Sequence, residues 1–237
     1  MKPFITVWVL GDQLLDNHPA LIQAETEYSR EQISVVLIES DQRIAKRPYQ
    51  KKKIVLLMSA MRHYALRLSE RGFRTNVFKA ADFRVGLVQY VTKYKPAKLI
   101  TMAASDYPGR RFQEGQLASI LGIPVEIVPN RQFLISVHDP FPDVGKQKRV
   151  VMENFYRKMR RHFDVLMEGE VPRGGQWNFD AANRKPLPKG FRPPPLLQFQ
   201  PDPLTQEVIQ EVKYQERGVG TTDGFDLAVT RDQALQA

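Results

Sequence analysis

Residues 6–15, TVWVLGDQLL, open on the unbroken apolar run Thr6-Val7-Trp8-Val9-Leu10, which stops at Gly11-Asp12-Gln13. A short run rich in β-branched and aromatic residues, with no polar alternation, is the pattern of a strand covered on both faces. With its flank it reads FITVWVL (4–10), and runs of the same kind recur as ISVVLI (33–38), RTNVFK (74–79), KLITMA (98–103) and PVEIV (124–128). Helical patterns lie between them. Over 50–70, Ile54, Leu57, Met58, Met61, Ala65 and Leu68 follow three- and four-residue spacings up to Gly72, and 84–94 and 110–121 are similar. Such alternation dictates a parallel sheet with right-handed crossovers. The expected fold class is α/β: a five-stranded, doubly wound, Rossmann-like parallel sheet of order 3-2-1-4-5 over residues 1–135.

In an open parallel sheet, ligands bind outside the carboxyl ends of the strands, where strand order reverses. For order 3-2-1-4-5 that crevice lies between the first and fourth strands. Gly11, Asp12 and Gln13 end the first strand, Glu39 and Ser40 the second, and Ala104, Ser105 and Asp106 the fourth. Carboxylates and amides there can hydrogen-bond a ribityl chain, a ribose or the edge of a heterocycle; alternatively Asp12 only caps its own turn. Neither GxGxxG nor GxxxxGK[ST] occurs, and the few glycine amides disfavour a pyrophosphate. A neutral or cationic ligand, planar or rich in hydroxyls, fits a carboxylate-bearing mouth better.

Beyond the sheet the texture changes. VHDPFPDVGKQKR (137–149) reads as a loop, and VVMENFYRKMRRHFDVLM (150–167) as a basic amphipathic helix. Residues 172–203 hold 8 of the 17 prolines, which forbids helix and predicts an extended connector anchored by Trp177 and Phe179. A helix follows over 204–217. Thr230, with Gln233 three residues on, marks another helix start, close to the end of the chain.

Net charge is +9, and residues 146–192 carry 12 Lys/Arg against 5 Asp/Glu. That bias suits a polyanion, with Arg157, Arg160 and Arg161 as candidate nucleic-acid contacts; the competing reading is a solvated basic face with core aromatics. Cysteine is absent, which excludes disulfides and thiol chemistry, and the four histidines show no metal-ligand spacing, so no metal site is expected. No Ser-His-Asp arrangement can be drawn, and no catalytic residue is assigned. No apolar run approaches the ~20 residues of a membrane helix, and the N-terminus lacks a signal-peptide pattern. A cytoplasmic protein without membrane contact is expected.

Several stretches together resemble one family. VLGDQL (9–14), ESDQRIAKRPYQKKKIVLLMSAMRHYA (39–65), GGQWNFDAANRKPLP (174–188) and TTDGFDLAVTRDQAL (221–235) are similar to the deoxyribodipyrimidine photolyase-related proteins, the bacterial iron–sulfur cryptochromes and (6-4) photolyases. The resemblance implies an N-terminal antenna domain (1–135), a basic helix and interdomain connector (136–203), and the start of a helical FAD-binding domain (204–237). It implies that FAD and a cysteine-ligated iron–sulfur cluster belong to a C-terminal catalytic half absent from this chain, which would do no photochemistry alone. In the family's full-length proteins, DNA is the partner and light drives repair.

It also implies a ribityllumazine-type antenna in the N-terminal domain, at the matching positions Gly11, Asp12, Gln13, Leu14 and Glu39. The sequence departs from the family at Tyr49-Gln50, where many members carry a His-His pair, and at Arg43, where some carry a carboxylate. The implied occupant is therefore ribityllumazine or another chromophore. A cryptochrome-like photoreceptor and a non-catalytic nucleic-acid-binding α/β module stand as the alternatives to a repair enzyme.

Overall fold

The computed structural model describes residues 4–135, 151–215 and 218–237, so the loop expected at 137–149 lies outside the described residues. Five strands form one parallel sheet in the order β3-β2-β1-β4-β5: β1 (Ile5–Val9), β2 (Ile33–Ser40), β3 (Arg74–Ala80), β4 (Leu99–Met102) and β5 (Val125–Val128). The register sets Val7 beside Val35 and Ile100. Every residue of β1 is buried, as a central strand between two helix layers requires.

Strand periodicity sorts the side chains into two cores. Ile5, Val7 and Val9 face α1 (Pro19–Glu27) and α3 (Lys51–Glu70), joining Leu21, Met61 and Leu68. Trp8 and Leu10 point the other way, toward α4 (Phe83–Tyr94) and α6 (Leu117–Leu121), joining Leu87, Tyr90 and Leu117. The chain thus winds on one face of the sheet through β3 and on the other after it, so strand order reverses at β1 and β4. A short α2 (Asp41–Ala45) follows β2 directly, its first turn capped by Ser40, whose hydroxyl accepts from Arg43 N–H at 3.2 Å.

The single helix expected at 110–121 is two: α5 (Tyr107–Gly115) and α6, separated at Gln116 by a non-helical backbone. The break turns Leu117 and Leu121 into the core while Gln113, on α5, serves the end of β4. Its carbonyl accepts from Ala104 N–H at 2.7 Å and its amide donates to Met102 O at 3.0 Å. Helix α1 was not singled out by sequence pattern. Its N-cap is His18, whose Nδ1 accepts from Ala20 N–H at 3.2 Å.

Two compact units are present, one of residues 1–132 with 197–237 and one of 133–196. In the first, α8 (Pro203–Lys213) and the segment after it build a third apolar cluster on the back of α3, where Ile54, Val55 and Met58 meet Val208, Val212, Phe225 and Val229. The expected helix start at Thr230 is α9 (Arg231–Gln236), with the reciprocal Thr230–Gln233 capping box in place. In the second unit, α7 (Met152–Phe163) leads into a small antiparallel pair, β6 (Met167–Glu168) and β7 (Val171–Pro172). The strap beyond it holds one short 3-10 turn, Ala182–Arg184, and otherwise no regular structure to residue 202. Phe179, expected to anchor it, is 58% exposed. No helix among the described residues is long and apolar enough to cross a membrane.

Candidate ligand-binding site

A cavity of about 360 Å³ opens at the carboxyl edge of the sheet. Gly11 and Asp12 contribute from the end of β1, Glu39 and Ser40 from β2, and Ala104–Asp106 from β4. Arg43 and Ile44 of α2 form one side; Tyr49 and the Ile54, Leu57, Met58 and Met61 face of α3 form another. Gly11 leaves room for the Met61 side chain, whose Sδ would lie 2.8 Å from a Cβ there.

The polar groups of the mouth divide by role. Gln13 is fully buried, and its amide donates to Ala103 O at 3.0 Å, tying the end of β1 to the end of β4. Leu14 packs against the α1/α3 core. Neither residue lines the cavity, whereas Gly11, Asp12 and Glu39 do. Asp12 is exposed, and its carboxylate has no hydrogen bond or ion pair among the described residues. Its main-chain carbonyl is held by the Gln132 amide, which in turn accepts from Ser105 Oγ at 3.0 Å.

Glu39 is held quite differently. Its side chain is 1% exposed, and Arg62 grips both oxygens, Nε to Oε1 at 2.8 Å and Nη2 to Oε2 at 3.0 Å. The same guanidinium clamps Glu211 of α8 at 3.1 and 2.7 Å, and Lys79 Nζ reaches Glu211 at 2.9 Å. The Glu39 hydrogen bond, opposed by burial and reinforced by Glu211, raises the Arg62 pKa further. Arg62 likewise holds the Glu211 carboxyl below its usual range. No local pattern could have announced this network, since Glu39 and Arg62 lie 23 residues apart and Arg62 and Glu211 149.

Across the mouth, Arg43 Nη2 pairs with Asp106 Oδ2 at 2.9 Å, and Asp106 also caps α5 through Gly109 N–H at 2.8 Å. Burial works against it, but these two donors hold the Asp106 carboxyl below the usual range. Tyr49 closes the outer wall with Lys53 Nζ 4.8 Å above its ring. That wall is braced from behind: Val219 N–H donates to Tyr49 O and Lys51 N–H to Val219 O, each at 2.9 Å.

The sequence profile of the deoxyribodipyrimidine photo-lyase-related proteins matches residues 7–227. The chain belongs to this family. It is 34% identical to a (6-4) photolyase of Agrobacterium fabrum over 98% of its own length and 46% of that protein's. A second relative, the uncharacterized protein R852 of Acanthamoeba polyphaga mimivirus, is 25% identical over 57% of this chain and 71% of its own. Among solved structures, a bacterial class III photolyase from Agrobacterium tumefaciens superposes with a TM-score of 0.53 at 17% identity, over 72% of this chain and 33% of that one. That likeness concerns the fold. The chain spans about half the length of the photolyase it matches.

Arg43 and Tyr49 line the cavity, while Gln50 is exposed and pairs with Val219 through its backbone. In the second unit, the three arginines picked out by sequence surround one ring: Arg157, Arg160 and Arg161 stand 5.4, 5.5 and 4.6 Å from the centroid of Trp177. Arg160 is 7% exposed and its donors are engaged by Val165 O at 3.0 Å, Tyr156 OH at 3.2 Å, Trp177 O at 3.3 Å and Leu166 O. It plugs the turn after α7. Arg157 and Arg161 stay closer to the surface, Arg157 bonded to Glu153 at 2.9 Å. No cluster of metal-ligating side chains occurs among the described residues.

Proposed function

We propose that the sheet unit is the antenna-chromophore domain of a photolyase-related flavoprotein. Its cavity takes a planar heterocycle with a polyol tail, of ribityllumazine type. The observation that carries this reading is the pairing of apolar walls with a carboxylate that has no partner among the described residues. Leu57, Met58 and Met61 offer a slot for a ring, and Asp12 at its rim is an acceptor-only group. A lumazine presents ring N–H and ribityl O–H donors. Asp12 would accept from them, and Glu39, fixed in one orientation by Arg62, supplies a second acceptor at the cavity wall. When bound, such a chromophore supplies light absorption and passes excitation onward; the protein's part is to hold it in one orientation and keep water from its ring.

In the whole protein, excitation would serve a FAD- and iron–sulfur-bearing catalytic half in light-driven repair of DNA photoproducts. The exposed edge of the Arg157–Arg161 cluster is suited to the DNA backbone, because guanidinium groups position phosphates without reading sequence. Arg160 contributes there by holding the turn.

The test is a titration of ribityllumazine into the protein and into Asp12→Ala, followed by fluorescence quenching. A charge-assisted hydrogen bond contributes about 1.5–3 kcal/mol, so the variant should bind about ten- to hundredfold more weakly with its fold intact. Equal affinities would remove Asp12 from the site. No binding to the unmodified protein would refute the antenna reading.

A further inference from the structure

On the Trp8 face of the sheet lies a second cleft of about 550 Å³, between the start of α4 and α5 under α2. Leu10, Arg43, Phe83, Ala104 and Asp106 line both this cleft and the first cavity. Its back wall is aromatic. Phe83 and Phe112, both half-buried, meet Trp8 edge-on at centroid distances of 5.5 and 6.4 Å. Its rim is cationic, formed by Arg43, Lys46 and Arg84.

We propose that this cleft binds an aromatic phosphate, with the ring against Phe83 and Phe112 and the dianionic head among the three cations. Three observations converge. First, Trp8 is 1% exposed and its Nε1–H has no acceptor among the described residues, although nearly all buried donors in folded proteins have one. A ligand oxygen would supply it. Second, Arg84 and Lys46 are exposed and neither forms an ion pair among the described residues; Lys46 acts on Asp106 only through its longer-range field. Third, the two carboxylates in the wall are already engaged. Asp82 caps α4 through Val85 N–H at 2.7 Å, and Asp106 caps α5 and binds Arg43. Three cations against two carboxylates leave the cleft one net positive charge, with Lys46 and Arg84 outside any ion pair among the described residues. A phosphate carries two negative charges and several acceptor oxygens, which matches the two cations outside any ion pair, Lys46 and Arg84, better than a neutral polyol does. The aromatic wall distinguishes a ring-bearing phosphate from the free ion.

This site does not require the antenna reading: the two cavities share Arg43, Phe83 and Asp106, but Trp8, Lys46, Arg84 and Phe112 line only the second. The experiment follows the indole N–H of Trp8 in a 1H–15N spectrum of the full chain, with Trp177→Phe assigning the other indole. Phenyl phosphate is the probe, with inorganic phosphate and phenol as partial ligands. A saturable shift of the Trp8 resonance is expected, with phenyl phosphate at least about tenfold tighter than either partial ligand. The Lys46→Ala/Arg84→Ala variant, altered only on the surface, should weaken it by about tenfold or more, and added salt should weaken it in the unmodified protein. An unmoved Trp8 resonance at millimolar phenyl phosphate would overturn the proposal. So would unchanged affinity in the double variant, or inorganic phosphate binding as tightly as phenyl phosphate.

Discussion

His18 shows what burial does to one side chain. It is fully enclosed, caps α1 through Nδ1, and leaves Nε2 without a partner among the described residues, so burial pushes its pKa down from 6.5 to about 4. The unfolded chain therefore binds the proton that the folded chain refuses. Stability is full above the unfolded value and is lost as pH falls from about 6.5 toward 4, by about 3 kcal/mol in all. His18→Asn keeps a capping side chain but cannot titrate, so denaturant unfolding at a series of pH values should show that slope vanish. Parallel curves for the two proteins between pH 5 and 6.5 would contradict this. The lowered carboxyls Asp106 and Glu211 act in the same direction, but at more acidic pH. The histidine was visible in the sequence only as one of four without pattern; its role depends on the walls around it.

The Glu39–Arg62–Glu211 network joins β2, α3 and α8. Removing one partner of a buried pair leaves an uncompensated charge, which costs about 3–5 kcal/mol. Arg62→Ala should therefore destabilise the protein by about that much in chemical denaturation. Glu39→Gln/Arg62→Met, which removes both charges, should recover a large part of it. If the single and double changes cost the same, the pair does not act as a unit. Arg62 also holds a wall group of the cavity, so Arg62→Ala should weaken any ligand that binds Glu39 as well.

At the scale of the whole molecule, residues 197–237 complete the core of the sheet unit. Val208, Val212, Phe225 and Val229 cover Ile54, Val55 and Met58 on the back of α3. Burying an aliphatic or aromatic side chain stabilises by about 1.5–3 kcal/mol, so four together contribute about 6–12 kcal/mol, comparable to the net stability of a domain. A chain cut after residue 196 should melt far below the full chain and bind a hydrophobic dye such as anilinonaphthalene sulfonate. An unchanged melting temperature would mean that residues 1–132 suffice alone. Residues 204–237, which the family resemblance assigns to the opening of a helical half, here also support the wall of the cavity at the carboxyl edge of the sheet through the Val219–Tyr49 pairing.

The amino-acid sequence by itself determined the strands, their parallel order and the crevice at β1 and β4. Those features follow from local periodicity, from glycines at element ends and from the handedness of crossovers, all properties of neighbouring residues. It also placed the Thr230 cap. Tertiary structure alone decided which mouth residues face the cavity. Asp12 and Gln13 are adjacent and both polar, yet one ends at the rim of the cavity and the other inside, tying β1 to β4. It likewise paired Glu39 with Arg62 and Glu211, and turned Arg160 from a candidate DNA contact into the plug of a turn. A charged side chain is satisfied by whichever groups the fold brings within about 3 Å, and that choice is made by packing between distant segments.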